Sequence, residues 1–439
     1  MSATLIHSKR PWLAEADSKH KEKPPMQIGS ERDYKKPIIR KLFPSLTTTY
    51  HYTRDSYPSL VIGSCGSGRT RIVLSMLKEN LANKQPFVYI NGQGDTQALK
   101  LIYDGAKEYG VANDLYCLNA YPTEEVQGHT FDPINPLVGD EMSFEAIFGG
   151  GIGSVINEFC MLKHLQGAIV DFETLESFLN LEILKKIVFN GEVKPLRLSS
   201  YLQDIEKQGD SSKDIHDQRC RALVDFISIF KNLPMCSFNP DLDFQSVFTE
   251  SKFLVVNMPA IEKDPDAIGI IGTLISCHIA KQVPGKETDT ICPSVVFDSG
   301  FILQNVPVAV IRRLERTKSI FAYEYMGGWN EESYVAYDEI AKMTRSFIAL
   351  KCESDITNAV KLKAFEYGVS RRNLTFRDVH TQQPGMAYIW GEFDVVTHGL
   401  FNRDPIPLKL IGLGAIRAVY YSPPHQQEFS LTKKPLKAN

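Results

Sequence analysis

The run Gly63-Ser64-Cys65-Gly66-Ser67-Gly68-Arg69-Thr70 has the spacing G-x-x-x-x-G-K-[ST] of a phosphate-binding loop, with arginine where the lysine belongs. Glycines at 63, 66 and 68 let backbone N–H groups turn inward around phosphate oxygens, and a helix starting at Thr70 adds partial positive charge. The nucleotide-binding set read from this loop is Gly63, Cys65, Gly66, Ser67, Gly68, Arg69 and Thr70, with the Thr70 hydroxyl as a Mg²⁺ ligand. Lysine is a compact ammonium that reaches between phosphates. Arginine is longer, planar and forked, so binding of ATP or ADP is expected to be weakened or rearranged.

A second chemical element lies far along the chain. Ser294-Val295-Val296-Phe297-Asp298 is an apolar run ending in an acid, the pattern that holds the Mg²⁺ shell of a nucleotide site; Asp298 is the catalytic candidate if the site is active. Ser299 follows, where a hydrolysing site carries a glutamate that orients or deprotonates water. Loss of such a base costs ~10²–10⁴ in rate.

These residues need a scaffold, and the pattern around them supplies one. PSLVIG reads as a strand entering the glycine loop, and RIVLSMLKENLANK as an amphipathic helix leaving it. PFVYI (86–90) is a second strand, ALKLIYDGAKEYG (98–110) a helix stopped by Gly110, and DLYCLN (114–119) a third strand, which together make βαβαβ and a parallel sheet. Between about 141 and 235 strand signals vanish and helical spacing takes over. Strands resume at KFLVVNMP (252–259), SVVFD (294–298), SIFAYEY (319–325) and RSFIALK (345–351), with a helix across Ala267–Gln282. GMAYIWGEFDVV and AIRAVYYSPP are expected to close the domain as an antiparallel hairpin, with Trp390 a packed strand aromatic.

The expected division is an irregular basic arm over 1–45, a core over 46–140, an all-α insertion over 141–235, the rest of the core over 236–425 and a tail over 426–439. The arm holds ten Lys and Arg against five Asp and Glu, a solvated tail or a site for an acidic partner. The whole chain of 439 residues carries a net charge of −3, so no overall basic footprint announces nucleic acid. With 43% hydrophobic and 23% charged residues it is an ordinary globular composition. Its eight cysteines show no C-x-x-C pair or Cys/His cluster, so neither a structural metal nor a disulfide framework is expected. The uncharged stretch Ala267–Ala280 falls short of the ~18–20 residues that span a bilayer, and MSATLIHSKRPW lacks the apolar core of a signal peptide. A cytoplasmic location is expected.

Across 57–422 the chain resembles the type IV coupling proteins of conjugation and type IV secretion, most closely the Dot/Icm and IncI-plasmid branch. YPSLVIGSCGSGRT is similar to the Walker A strand and loop, YINGQGD to the D-G-K-G-D strand end, and HTFDPINPL to the segment ending in an N-P-L turn. KFLVVNMPAIEKDPDAIGIIGTLISCHIA resembles the strand, L-P-A-L-E-K turn and helix of that branch, SVVFDSG its Walker B, and AIRAVYYSPP its terminal strand. The resemblance implies an α/β, RecA-like P-loop NTPase fold with a mostly parallel sheet interrupted by an all-α insertion. It also implies a motor, usually a hexamer, that passes relaxase-bound DNA or effector proteins to a secretion channel.

Several positions depart from that pattern: Arg69, Ser299, Asn91 and Gln93 in D-G-K-G-D, and Met326-Gly327-Gly328 in the loop that presents a sensor glutamine. The membrane helices typical of the family are also absent, so membrane attachment at the inner membrane is expected through partners. Three readings follow. The first is a degenerate subunit that recruits substrates or assembles with the apparatus in a homo- or hetero-oligomeric ring. The second is an active motor with Arg69 as phosphate cation and Glu324 as the replacement base. The third is a nucleotide-independent nucleic-acid or adaptor-binding module using the arm and Arg312, Arg313, Arg316 and Lys318. Arg345, Arg371 and Arg372 are candidates for a finger that reaches a neighbour's phosphates.

Overall fold

The computed structural model describes residues 27–32, 47–52, 58–63, 69–92, 94–120, 128–190, 195–250, 252–258, 265–283, 293–303, 306–323, 339–340, 343–349, 386–390, 393–398, 406–410 and 417–420. Its centre is a set of seven parallel strands: β3 (Ser59–Ile62), β4 (Phe87–Asn91), β5 (Leu115–Asn119), β6 (Phe253–Asn257), β7 (Ser294–Asp298), β8 (Lys318–Tyr323) and β9 (Ser346–Ala349). They run in the order β9-β3-β8-β7-β4-β6-β5. Continuous apolar runs such as FLVVN and SVVFD, rather than alternating ones, form these strands because both faces are covered.

One face carries Val61, Phe87, Tyr89, Val255 and Val296 against two helices, α1 (Arg69–Ala82) and α2 (Thr96–Glu108). Ile72, Val73, Met76 and Leu77 of α1 are fully buried there, each worth roughly 1.5–3 kcal/mol of apolar burial. Helix α2 starts where the Asp95 carboxylate accepts from the amides of Gln97 and Ala98, and it ends before Gly110, whose φ of 68° a side chain would resist. The opposite face, with Leu60, Ile62, Val88, Ile90 and Phe297, packs on the helical layer.

That layer comprises α3 (Glu141–Phe148), α4 (Ile152–Leu165), α5 (Phe172–Phe178), α6 (Leu181–Asn190), α7 (Leu196–Glu206), α8 (Ser212–Arg219), α9 (Arg221–Phe230), α10 (Phe244–Thr249), α11 (Pro265–Gln282) and α12 (Val308–Leu314). As the periodicity predicts, the described residues between β5 and β6 contain no strand. Phe144, Phe148, Phe159, Phe178, Phe226 and Phe230 make its core, with Phe148 edge-on to Phe226 at 5.1 Å. The N-P-L segment joins it to the sheet. Asp132 accepts from the amides of Ile134 (3.0 Å) and Asn135 (2.9 Å), and Asn135 in turn bonds both backbone groups of Val170. Helix α11 lies so close to the turn after β7 that a Cβ on Gly272 would stand 2.4 Å from the Ile302 carbonyl oxygen.

Six more strands extend the sheet antiparallel: β1 (Gln27–Arg32), β2 (Thr47–Tyr52), β10 (Met386–Trp390), β11 (Phe393–His398), β12 (Ile406–Leu410) and β13 (Arg417–Tyr420), in the order β12-β11-β2-β1-β13-β10 up to β9. Two expectations are corrected here. QIGSER shows no strand period, yet it forms β1 within the segment read as irregular, because pairing with β2 and β13 supplies what its side chains do not. The closing strands are antiparallel, but instead of one hairpin, β10 pairs with β9 and β13 while β11 pairs with β12 and β2. No helix among the described residues is long and apolar enough to cross a membrane.

Candidate functional site

In a parallel sheet the strand carboxyl ends open onto the ligand crevice. Here those ends line up in register: Asn119 of β5, Asn257 of β6, Asn91 of β4, Asp298 of β7 and Ala322 of β8 form one row. Strand β8 separates β7 from β3, so Gly63 and helix α1 stand across β8 from Asp298. A long side chain at the first residue of α1 spans that gap.

Arg69 does so. Its Nε lies 3.5 Å from Asp298 Oδ1 and its Nη1 donates to the Gly63 carbonyl at 3.1 Å, with 5% of the arginine side chain and 1% of the aspartate exposed. Tyr89 donates its hydroxyl to Asp298 Oδ2 at 2.9 Å, and the Thr70 hydroxyl donates to the same carboxylate. Burial pushes the Asp298 carboxyl above the usual range, against the pull of the Arg69 charge and the bonds from Tyr89, Arg69 and Thr70. Burial, then the Asp298 charge, pushes the Tyr89 phenol well up, so it remains a donor.

The structure therefore brings together Gly63, Arg69, Thr70 and Asp298 of the residues singled out in the sequence; Ser64–Gly68, with Cys65, Gly66 and Ser67, lie outside the described residues. Arg69 is turned inward onto the acid instead of presenting a cation outward from the loop. Ser299 is buried at 2% exposure, and its short hydroxyl cannot replace a carboxylate base. Gly92 sits against this turn: a Cβ there would stand 2.6 Å from Ser299 Cβ.

The sequence reading missed Tyr89 and a buried amide ladder. Asn91 Nδ2 donates to Asn257 Oδ1 (2.9 Å) and Asn257 Nδ2 to Asn119 Oδ1 (2.9 Å), while Asn91 Nδ2 also reaches the Asp95 carbonyl (2.9 Å). The signal was on view, since FVYIN, LYCLN and FLVVN all end in asparagine. Asn91 and Asp95, the outer positions of NGQGD, are thereby tied together; Gln93 lies outside the described residues.

Other candidates fall elsewhere. Arg345 precedes β9 and its amide donates to the Pro58 carbonyl, at the amino ends of the strands and so opposite the Arg69 end. Arg312 pairs with Glu339 (3.1 Å) and Arg313 with Asp140 (3.3 Å). Glu324, Met326–Gly328, Arg371 and Arg372 lie outside the described residues, and Trp390 lies on β10 in register with Phe347. Among the described residues no group of three or more His, Cys, Asp or Glu is placed to hold a metal ion. The thiols of Cys117, Cys220 and Cys277 are pushed up to about 12 by burial, which makes them packing groups rather than nucleophiles.

No protein-family model matches the chain. Type 4 coupling protein DotL of Legionella pneumophila subsp. pneumophila is 24% identical over 294 residues, 53% of this chain. The chain is similar in sequence to a type IV coupling protein. The match spans 38% of DotL, well under half of that protein. The plasmid coupling protein TrwB, solved in complex with ADP and Mg²⁺, superposes on this chain with a TM-score of 0.56 at 11% identity, over 84% of this chain and 88% of the solved TrwB chain. The unbound monoclinic form of TrwBdeltaN70 gives 0.55 at 12% identity, over 82% and 87%. These superpositions establish the RecA-like P-loop NTPase fold.

Proposed function

We propose that this chain is a coupling-protein-like subunit of a conjugation or type IV secretion system that retains the motor fold without hydrolysing nucleotide, and that it serves in substrate recruitment or assembly of the apparatus. The observation that carries the reading is the Arg69–Asp298 pair. Hydrolysis needs three things at this place: a cation on the transferred phosphoryl group, an open acid for the metal shell and a base for water. In this chain the cation is spent on the acid, the acid is fully buried, and serine stands in the base position.

A recruiting role draws support from the helical insertion. The exposed large apolar side chains of the described residues, Met161, Leu165, Ile169, Ile183, Leu196 and Val224, all lie on it. Apolar side chains displayed on one unit of a protein suit contact with another protein. The pairing of Arg312 and Arg313 with acids weakens the case for a nucleic-acid patch there. The division at 141–235, a ring with other subunits, relaxase-bound DNA or protein substrates, an acidic partner for the N-terminal arm and inner-membrane attachment through partners belong to this proposal. Bound nucleotide at Gly63–Thr70 belongs to it too, supported by the TrwB complex with ADP and Mg²⁺.

The test is phosphate release from ATP by the purified full chain against a Thr70→Ala control. The expected result is no release above the control. Turnover near 1 s⁻¹, the low end of the ~1–10³ s⁻¹ common for enzymes, overturns the reading.

A further inference from the structure

Strand β5 is the last of the described strands at its end of the sheet, and its outer side is met by the residues that lead into the helical layer. The His129 amide donates to the Cys117 carbonyl at 2.6 Å, and the Cys117 amide donates to His129 Nδ1 at 3.1 Å. An imidazole thus stands where a backbone carbonyl would accept in an ordinary ladder. A backbone N–H can only donate, so Nδ1 must carry a free lone pair, and the ring is the neutral form with its proton on Nε2. The next two residues tie the entry of the helical layer to its exit. Thr130 and Asp241 are joined by hydrogen bonds of 3.1, 3.0 and 3.2 Å, while the Phe131 amide donates to the Met235 carbonyl and its carbonyl accepts from the Ser237 amide.

The layer has other holds on the core, and they differ in one chemical respect. His278 Nε2 donates to the Pro133 carbonyl at 3.1 Å, Lys281 donates to the Pro136 carbonyl, and Arg313 pairs with Asp140 at 3.3 Å. None of these depends on a ring lone pair, and a histidine that donates still donates when charged. His129 accepts, and an imidazolium has nothing to accept with. Around it, Tyr116 meets the ring edge-on at 5.0 Å, Asp241 is held by Thr130, and Lys252 is bonded to Asp114 at 2.7 Å. The charge that decides the bond is therefore that of the imidazole itself.

We infer that His129 is a pH-operated pin: neutral, it closes the sheet edge at Cys117 and fixes the entry of the helical layer; protonated, it releases that end while the holds from α11 and α12 stay in place. Histidine is the side chain whose charge changes between about pH 5 and 8. Release strands the amide of Cys117, a residue 3% exposed, and unpins the layer on which Leu165, Ile169 and Leu196 are displayed. The inference does not depend on whether the chain hydrolyses nucleotide.

The experiment is hydrogen exchange of the full chain, read by mass spectrometry at pH ~8 and pH ~5 with exposure times scaled for the intrinsic exchange rate. In the wild type, peptides covering 115–119 and 128–131 are expected to lose about tenfold in protection at the lower pH, and those of α11 less than about twofold. His278, lowered by burial to about 4, is still neutral there. His129→Asn sets an oxygen at the δ position that accepts at either pH, so its exchange should be alike at both; His129→Phe offers no acceptor and should exchange fast at both. Wild-type protection that agrees within about twofold between the two pH values overturns the inference, and this comparison needs no variant to fold. A His129→Asn protein with the wild-type pH dependence overturns it as well, because the titration would then belong to another group such as Asp241. So does a loss of protection shared equally by α11, which would be general loosening and not the release of one pin.

Discussion

Replacing Arg69 by methionine keeps most of the side-chain volume and removes the charge, leaving Asp298 with only hydroxyl partners in a place where it has no exposure. Removing one member of a buried pair costs about 3–5 kcal/mol, chiefly the penalty for the stranded charge. For a cooperative unit of about 150–250 residues, at about 2–4 °C per kcal/mol, this is a fall in Tm of about 6–20 °C. The loss depends on pH in a fixed direction. Burial already holds the Asp298 carboxyl above its ordinary 3.8 and Arg69 opposes this, so in Arg69→Met the carboxyl rises further. Between the unfolded and folded values the native state binds the extra proton, so stability falls as pH rises through that window. The Arg69→Met penalty is therefore larger at pH ~8 than at pH ~5. Removing both charges in Arg69→Met/Asp298→Leu restores most of the loss, because neither ion is left behind. Differential scanning calorimetry of the three proteins at both pH values is the assay. A loss under about 1 kcal/mol for Arg69→Met at the higher pH, or a double variant no better than the single one, refutes the argument.

Asn257→Asp removes the amide donor to Asn119 and places a carboxylate within the buried row; we expect a loss of more than ~2 kcal/mol in urea unfolding, relieved at low pH. Gly272→Ala forces helix α11 away from the Ile302 backbone, and an overpacking cost of about 1–3 kcal/mol outweighs the roughly 1 kcal/mol gained in helix propensity. A rise in Tm for this variant would show that α11 moves without cost. His278 is fully buried, stacks on Phe244 at 4.8 Å and is lowered by burial from 6.5 to about 4, so it stays neutral in the native state while the unfolded chain takes up a proton. The stability it contributes is complete above pH 6.5 and is lost as pH falls toward 4; His278→Phe should flatten that part of the Tm profile.

The strands of the parallel sheet are legible because FVYIN, FLVVN and SVVFD are unbroken apolar runs bounded by turns, and such runs fit only a sheet covered on both faces. The loop-to-helix step at Arg69 and the acid at the end of β7 are legible for the same reason, since each sits at a strand end. The direction of the Arg69 side chain is not. It depends on a partner 229 positions away and on β8 lying between the two strands, a fact of topology that no local window contains. The asparagine ladder was hidden similarly: each asparagine ends its strand unremarkably, and only the register of β5, β6 and β4 sets the three side by side. Strand β1 was illegible because Gly29 and the polar residues of QIGSER carry no alternation, and its conformation comes wholly from its neighbours.

The antiparallel extension brings segments far apart in the sequence together: Ser30 pairs with Tyr420, and Tyr50 with Val395. During synthesis the β1–β2 pair leaves the ribosome well before β13 and β11, the strands that cover its two outer edges. Closing such long loops is the slow part of building a sheet, and an unpaired edge is a template for association with other chains in the meantime. A stop codon before Arg417 would therefore do more than remove one strand: it would leave β1 and β10 each with a naked edge, and the shortened chain should be captured by chaperones or aggregate rather than accumulate folded.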